Sequence, residues 1–152
     1  MILEYAKTHD AAFEPRRANP SDAGLDVFYS PVNPHDKMYI PTNSSRVIPT
    51  GLKFAIPHGY MLEVKNRSSV AAKRQLLVGA CVIDSGYEGE VFVNLHNIGV
   101  ESQALHPGAK IAQLVMTPVI HFRPVETPEA TLYNYPMTIS NRGEGSLGST
   151  DR

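Results

Sequence analysis

Short runs of apolar and polar residues alternate along most of the chain and predict β-strands. Runs rich in Val, Ile, Leu, Tyr and Phe are separated by Gly, Pro, Asn and Asp, a pattern typical of strands joined by turns. Few windows keep a helical period for more than two turns. The predicted strands are residues 2–5, 24–28, 45–49, 52–55, 60–65, 76–83, 91–97 and 109–119.

A short helix is predicted at residues 68–73, where Ser68 or Ser69 can cap the first turn and two alanines favour the middle. The many short strands, with 12 prolines and 11 glycines spread along the chain, indicate an all-β sandwich, jelly roll or barrel. A chain of 152 residues is expected to form one domain with a substantial core.

Composition narrows the possible partners. The formal net charge of −1 gives no general electrostatic reason to expect nucleic-acid binding. No apolar run reaches the roughly 20 residues of a membrane helix, and the N-terminus lacks the pattern of a signal peptide. The single cysteine, Cys81, excludes an intrachain disulfide and fits a reducing compartment. We therefore expect a cytoplasmic protein, in the host cytoplasm if the chain is viral.

Residues 79–97 carry the most informative pattern, an apolar β-branched run that breaks at Asp84 and resumes as an alternating run. This predicts a β-hairpin with a wide connection. Asp84 would end the first strand and Tyr87 would follow in the turn, so a carboxylate and a ring would lie at one mouth. Such an acid can take a proton from water, and the ring can pack against a sugar-like group. The alternative is a turn that only closes the hairpin.

Polar residues also interrupt an apolar run near residue 24. Gly24 is expected to permit close approach of another chain segment or a sharp bend. Asp26 alternates with Leu25 and Val27 and faces away from them. If Asp26 faces inward it needs a partner, and a purely structural salt bridge is as good an interpretation as a functional role.

Two further stretches could bind phosphate. Arg67, Ser68 and Ser69 place a guanidinium and two hydroxyls at the predicted helix start; the alternative is an ordinary helix cap with a solvated arginine. Gln113 shares one strand face with Ile111 and Val115, so it is either a satisfied core amide or a ligand contact.

From about residue 126 apolar density falls and turn formers dominate. The glycines of residues 143–148 would let backbone N–H groups wrap a polyanion, with Arg142, Ser149 and Thr150 adding donors. We expect a mobile arm here; the alternative is a disordered tail.

Five short motifs, residues 23–26, 67–69, 82–89, 108–114 and 142–150, occur in the order and at the spacing of one family. In these motifs the chain resembles the trimeric dUTP pyrophosphatase (dUTPase) family. The resemblance implies a distorted jelly-roll-like β-barrel over residues 1–125 and a C-terminal arm, 126–152, within the same functional unit. It also implies a homotrimer with three shared active sites.

The implied reaction is hydrolysis of dUTP to dUMP and pyrophosphate with Mg²⁺ on the triphosphate, which lowers dUTP and supplies dUMP for dTMP synthesis. Asp84 would orient and deprotonate the attacking water, and Asp26 would act near the metal through water. The implied uridine and deoxyribose contacts are Cys81, Val82, Ile83, Tyr87, Phe92 and Leu147. The implied phosphate contacts are Arg67, Ser68, Ser69, Gln113, Arg142, Gly148, Ser149 and Thr150.

Three positions depart from the family pattern: Cys81 stands for the usual glycine, Leu147 for phenylalanine and Lys110 for arginine. Two other functions remain open. One is a dCTP deaminase-related or bifunctional enzyme, although Asn94 occupies the position of the deaminase's catalytic glutamate. The other is a nucleotide-binding regulatory trimer without turnover.

Overall fold

The computed structural model describes residues 1–134, 143–145 and 147. Contacts divide the chain into two units, Met1–His121 and Phe122–Arg152. The predicted division into a barrel domain (1–125) and an arm (126–152) stays a prediction. Among the described residues, no helix combines the length and the apolar character needed to cross a bilayer.

The first unit is built from short strands, and the described residues contain eleven of them. In chain order they are β1 (Glu4–Lys7), β2 (Leu25–Phe28), β3 (Met38–Ile40), β4 (Ser45–Pro49), β5 (Leu52–Ala55), β6 (Tyr60–Lys65), β7 (Leu76–Val78), β8 (Val82–Ile83), β9 (Phe92–Asn97), β10 (Gln103–Leu105) and β11 (Lys110–Pro118). A short α-helix, α1 (Ser68–Arg74), follows β6. In the second unit a 3-10 turn spans Glu129–Thr131.

The strands form four antiparallel sheets. One has the order β2-β11-β6-β8 and another the order β4-β9-β7, while β1 pairs with β5 and β10 pairs with β3. Apolar side chains of these sheets, including Val27, Ile48 and Leu95, meet in one buried core. The predicted all-β, jelly-roll-like fold is confirmed.

The prediction of a hairpin between the two arms of residues 79–97 is wrong in its pairing. β8 pairs with β6 and not with β7 or β9, and Leu62 lies opposite Ile83. β9 pairs instead with β4 and with β7, where Val78 lies opposite Leu95. The predicted strand 76–83 is therefore two strands in different sheets, and residues 79–81 connect them.

The start of α1 also differs from the prediction. Arg67 is the N-cap residue, and its carbonyl accepts a 2.9 Å hydrogen bond from the Ala71 amide. Neither Ser68 nor Ser69 caps the helix, and within the described chain no side chain does so. Ser68 and Ser69 are both exposed residues in the first turn of α1.

Candidate active site

A pocket of about 210 Å³ forms where β8 ends and β9 begins. The turn after β8 is closed by a 3.1 Å hydrogen bond from the Tyr87 amide to the Asp84 carbonyl. This turn brings together five of the residues singled out from the sequence and adds Glu90 and Val91. The lining residues are Val82, Ile83, Asp84, Tyr87, Glu90, Val91 and Phe92.

The Tyr87 ring is held in place although the residue is 45% exposed. Its hydroxyl donates a 2.7 Å hydrogen bond to the Glu90 carbonyl. Gly89 permits this position, since a Cβ there would lie 2.7 Å from Tyr87 Cζ. A ring fixed in this way presents a rigid apolar surface to the pocket.

Asp84 is exposed at the mouth of the same pocket. Within the described chain its carboxylate has no ion-pair or hydrogen-bond partner, unlike Asp26. Both oxygens are therefore free to accept hydrogen bonds from water or a ligand.

Sequence analysis did not identify Glu90, which ties the pocket to the turn between β4 and β5. Glu90 Oε1 accepts a 2.8 Å hydrogen bond from the Gly51 amide. Next to it, the Thr50 hydroxyl donates to the Val91 carbonyl at 2.6 Å. The signal in the sequence was weak, because an acidic residue in a turn is usually solvated.

Cys81 stands just before β8 and is a half-buried free thiol packed against the core. Its carbonyl already accepts a 2.8 Å hydrogen bond from the Val64 amide. Cys81 is not among the residues that line the pocket. One lone pair of the Cys81 carbonyl is therefore taken by Val64. A ligand would have to bind Cys81 through its amide or through the second lone pair of its carbonyl.

A second pocket, of about 270 Å³, lies beside β2, β11 and the start of α1. Four residues proposed from the sequence line it, whereas Ser69 does not. The lining residues are Ala18, Asp22, Ala23, Gly24, Asp26, Arg67, Ser68 and Gln113.

Asp26 is buried between two cations under this pocket. Its Oδ1 lies 2.8 Å from Arg67 Nε and its Oδ2 lies 2.8 Å from Lys110 Nζ. The Asp26 side chain is 10% exposed, whereas those of Arg67 and Lys110 are 24% and 34% exposed. Asp22 also lines the pocket, so the two carboxylates and the two cations balance, and Arg67 is the cation that faces the pocket itself.

Gln113 is held by the backbone on two sides. Its Nε2 donates a 2.8 Å hydrogen bond to the carbonyl of Asn66. The Asn66 side chain in turn accepts from the Val78 amide at 2.8 Å. On the other side, Gly24 lies against the Gln113 side chain, as the sequence led us to expect of this glycine.

On the neighbouring strand β6, Lys65 lies opposite Gln113. Lys65 Nζ lies 2.7 Å from Glu63 Oε1. The hydrogen bond and the charge of Glu63 raise the pKa of Lys65, and burial opposes them weakly. Lys65 therefore keeps its positive charge at the edge of the sheet.

The two pockets lie at opposite ends of β6. Ile83 pairs with Leu62 near the start of this strand, and Asp84 is one residue further out. Arg67 lies two residues beyond its other end, at Lys65. Counted along β6, the separation is six residues, and extended chain covers about 20 Å over that number. Within one chain, Asp84 and Arg67 therefore line different pockets.

Of the five predicted site residues near the C-terminus, the structure describes only Leu147. Arg142, Gly148, Ser149 and Thr150 lie outside the described residues. Leu147 is described and is fully exposed. Their predicted contacts with a nucleotide stay predictions.

Comparison with protein families gives a match to the dUTPase family over residues 10–150. Similar curated proteins carry the name deoxyuridine 5'-triphosphate nucleotidohydrolase. One from Clostridium acetobutylicum is 35% identical over 150 residues, covering 97% of this chain and 95% of that protein. One from Chlamydia trachomatis is 33% identical over 148 residues, covering 96% of each.

Solved structures show the same fold. A variant of the Staphylococcus bacteriophage 80alpha dUTPase with dUpNHpp has a TM-score of 0.80 and 26% identity, covering 97% of each chain. A variant of the dUTPase from phage phi11 of S. aureus, described with a structural Mg(II) ion, has a TM-score of 0.77 and 23% identity, covering 86% of this chain and 99% of that one. The family match spans nearly the whole chain, and so the protein belongs to the dUTPase family.

Proposed function

We propose that this protein is a dUTP diphosphatase that hydrolyses dUTP to dUMP and pyrophosphate. The observation that carries the proposal is the pair of pockets. One places an unpaired carboxylate, Asp84, beside a fixed ring, and the other places the donors of Arg67, Ser68 and Gln113 around one cavity. Curated relatives named for this activity, and a related phage enzyme described with a dUTP analogue, support the same substrate.

In the proposed chemistry, Asp84 accepts a proton from a water molecule that attacks the α-phosphorus. The water oxygen forms a bond to phosphorus while the bond from the α-phosphorus to the bridging oxygen breaks. The electron pair of that bond leaves with pyrophosphate. A general base of this kind contributes about 10²- to 10⁴-fold to a rate.

The pocket between β8 and β9 would bind the nucleoside. Tyr87 would pack under the deoxyribose and leave no room for a 2′-hydroxyl, and backbone groups near Cys81 and Phe92 would bind the uracil edge. Val82 and Ile83 would complete the wall. Leu147 of the arm would cover the base as an apolar cap without ring stacking.

The pocket beside β2 and β11 would bind the phosphates. Arg67 keeps four terminal N–H donors after its Nε–H is given to Asp26. Ser68, Ser69 and Gln113 would add neutral donors. From the arm, Arg142, Gly148, Ser149 and Thr150 would close over the outer phosphates and exclude bulk water.

Mg²⁺ fits this site as an ion carried by the substrate. Among the described residues, no group of three or more His, Cys, Asp or Glu side chains is arranged to hold a metal ion. Both Asp26 oxygens face a cation of the protein, so Asp26 suits a contact through water better than direct ligation. Mg²⁺ commonly binds phosphate oxygens and keeps several waters. When bound, it neutralises phosphate charge.

The separation of the two pockets along β6 supports an active site shared between copies of the chain. The phosphates of one nucleotide are contiguous, whereas Asp84 and Arg67 lie six residues apart along the strand direction. We propose that Asp84 of one subunit and Arg67 of another meet on one nucleotide in a homotrimer. The product dUMP would serve dTMP synthesis, and the expected location is cytoplasmic.

One incubation distinguishes this function from the alternatives. The protein is mixed with dUTP, dCTP, UTP or dTTP and Mg²⁺, and pyrophosphate, ammonia and bound nucleotide are measured. Pyrophosphate from dUTP alone is the expected result. Ammonia from dCTP would indicate the deaminase, and tight dUTP binding without product would indicate a regulatory protein. In this chain Asn94 bonds to His96 and to the Arg46 carbonyl and lines neither pocket.

A further inference from the structure

Arg67 and Lys110, the two cations that contact Asp26, differ in their access to the phosphate pocket. Arg67 lines the phosphate pocket, whereas Lys110 does not. Lys110 nonetheless reaches the buried carboxylate as closely as Arg67 does, at 2.8 Å. Lys110 therefore touches the wall of the pocket through Asp26.

A β-bulge places Lys110 on this side of the sheet. Gln113 lies opposite Asp26 and Ala112 opposite Val27, but the register then shifts so that Lys110 lies opposite Phe28. In a regular ladder Ile111 would take that position and share the face of Gln113. The bulge instead keeps Ile111 in the core, fully buried, and turns Lys110 toward Asp26.

We propose that Lys110 is a positioning residue for phosphate binding. Its ammonium holds Asp26 Oδ2, which keeps Oδ1 directed at Arg67 Nε. The bond at Nε fixes the plane of the guanidinium and leaves its terminal N–H groups for the phosphates. This inference rests on the proposed function for the identity of the ligand, but the fixed guanidinium itself does not depend on it.

The charge balance agrees with this role. With Lys110 present, the buried Asp26 is shared by two cations, so Arg67 is not its only counter-ion. Without Lys110, Asp26 and Arg67 would neutralise each other, and the carboxylate would pull the whole guanidinium toward itself. A bidentate pair would then use the N–H groups that the phosphates need.

The first test uses the protein without nucleotide. The ¹⁵Nε relaxation of Arg67 is measured in the full-length protein and in Lys110→Met, Lys110→Arg and Lys37→Met. Lys37 is exposed and lies in neither pocket, so Lys37→Met is the control. We expect an ordered Nε–H in the original protein, in Lys110→Arg and in the control, and a mobile or shifted one in Lys110→Met. Unchanged Arg67 signals in a folded Lys110→Met would overturn the proposal.

The second test measures the dissociation constants of dUpNHpp and of dUMP for the same proteins by calorimetry. Lys110→Met should weaken dUpNHpp binding about tenfold, the effect of losing one charge-assisted hydrogen bond, and leave dUMP binding unchanged. Equal weakening of both nucleotides, or of neither, would contradict the inference. If Lys110→Met does not fold, Lys110→Gln takes its place, with the same expected loss.

Inorganic tripolyphosphate separates this inference from the proposed function. If the original protein binds tripolyphosphate in a Lys110-dependent way but does not bind dUpNHpp, the positioning role of Lys110 is supported and the nucleotide assignment fails. If dUpNHpp binds and Lys110 makes no difference to either ligand, the positioning role fails and the proposed function is supported.

Discussion

Gly24 lies against Gln113 so closely that no side chain larger than hydrogen fits between them. A Cβ built on Gly24 would lie 2.6 Å from Gln113 Cδ and 2.8 Å from Gln113 Cβ. Gln113 Cδ can move with the side-chain torsions, but Gln113 Cβ moves only with the backbone of β11, so a methyl group at residue 24 would displace both the side chain and the strand. Gln113 would then lose its position in the phosphate pocket.

Gly24→Ala is therefore expected to impair substrate binding and also to lower the thermal stability of the protein. The KM for dUTP should rise about tenfold, since one hydrogen bond to a charged group is worth about 1.5 kcal/mol or more. Steady-state kinetics and thermal unfolding check this. Gly86→Ala is the control, because a Cβ there would meet no atom within 4 Å. An unaltered KM for Gly24→Ala would remove Gln113 from phosphate binding.

Tyr87 should control the choice between deoxyribose and ribose. Tyr87→Ala removes the ring, and we expect the ratio of kcat/KM for dUTP over UTP to fall about tenfold. Tyr87→Phe keeps the ring and loses the hydroxyl bond to the Glu90 carbonyl, so its ratio should stay close to that of the original protein. A Tyr87→Ala protein with undiminished discrimination would show that another group excludes the 2′-hydroxyl.

Mixing two inactive variants tests whether the site is shared. Asp84→Asn and Arg67→Gln are each expected to lack activity. After co-refolding in equal amounts, about a quarter of the sites in random trimers would combine an intact Asp84 with an intact Arg67 from a neighbouring subunit. Activity should reappear to that extent. A mixture as inactive as its components would argue for a site within one chain.

Removal of residues 141–152 should separate turnover from folding. The core cluster lies within the first unit, and its members run from Val27 to Leu114. We expect Tm to change little and kcat/KM for dUTP to fall about a hundredfold, as when transition-state donors are removed. Calorimetry and pyrophosphate release measure the two effects. Full activity of the shortened chain would exclude a closing arm.

Local alternation was enough to predict strands where both faces of a strand have a clear character. Three predicted strands coincide with β4, β5 and β6, namely residues 45–49, 52–55 and 60–65. β3 and β10 were missed because three-residue strands carry too little period to recognise. Predicted strand 2–5 is shifted, since β1 begins at Glu4.

The contacts that shape the candidate site depend on pairings between distant segments, which a local pattern does not record. The pairing of β8 with β6 was not evident from residues 76–83 alone. The bulge after Lys110 likewise broke the expected shared face of Ile111 and Gln113. A salt bridge at Asp26 was considered from the sequence, but its two partners became visible only in the folded chain.

The central claim is that water, activated by Asp84, attacks the α-phosphorus of dUTP. Hydrolysis in H₂¹⁸O, followed by mass spectrometry of both products, tests it most directly. The account predicts one ¹⁸O atom in dUMP and none in pyrophosphate, with the rate reduced about 10²- to 10⁴-fold in Asp84→Asn while dUpNHpp binding persists. Label in pyrophosphate, or an Asp84→Asn protein that hydrolyses dUTP at the original rate, would contradict it.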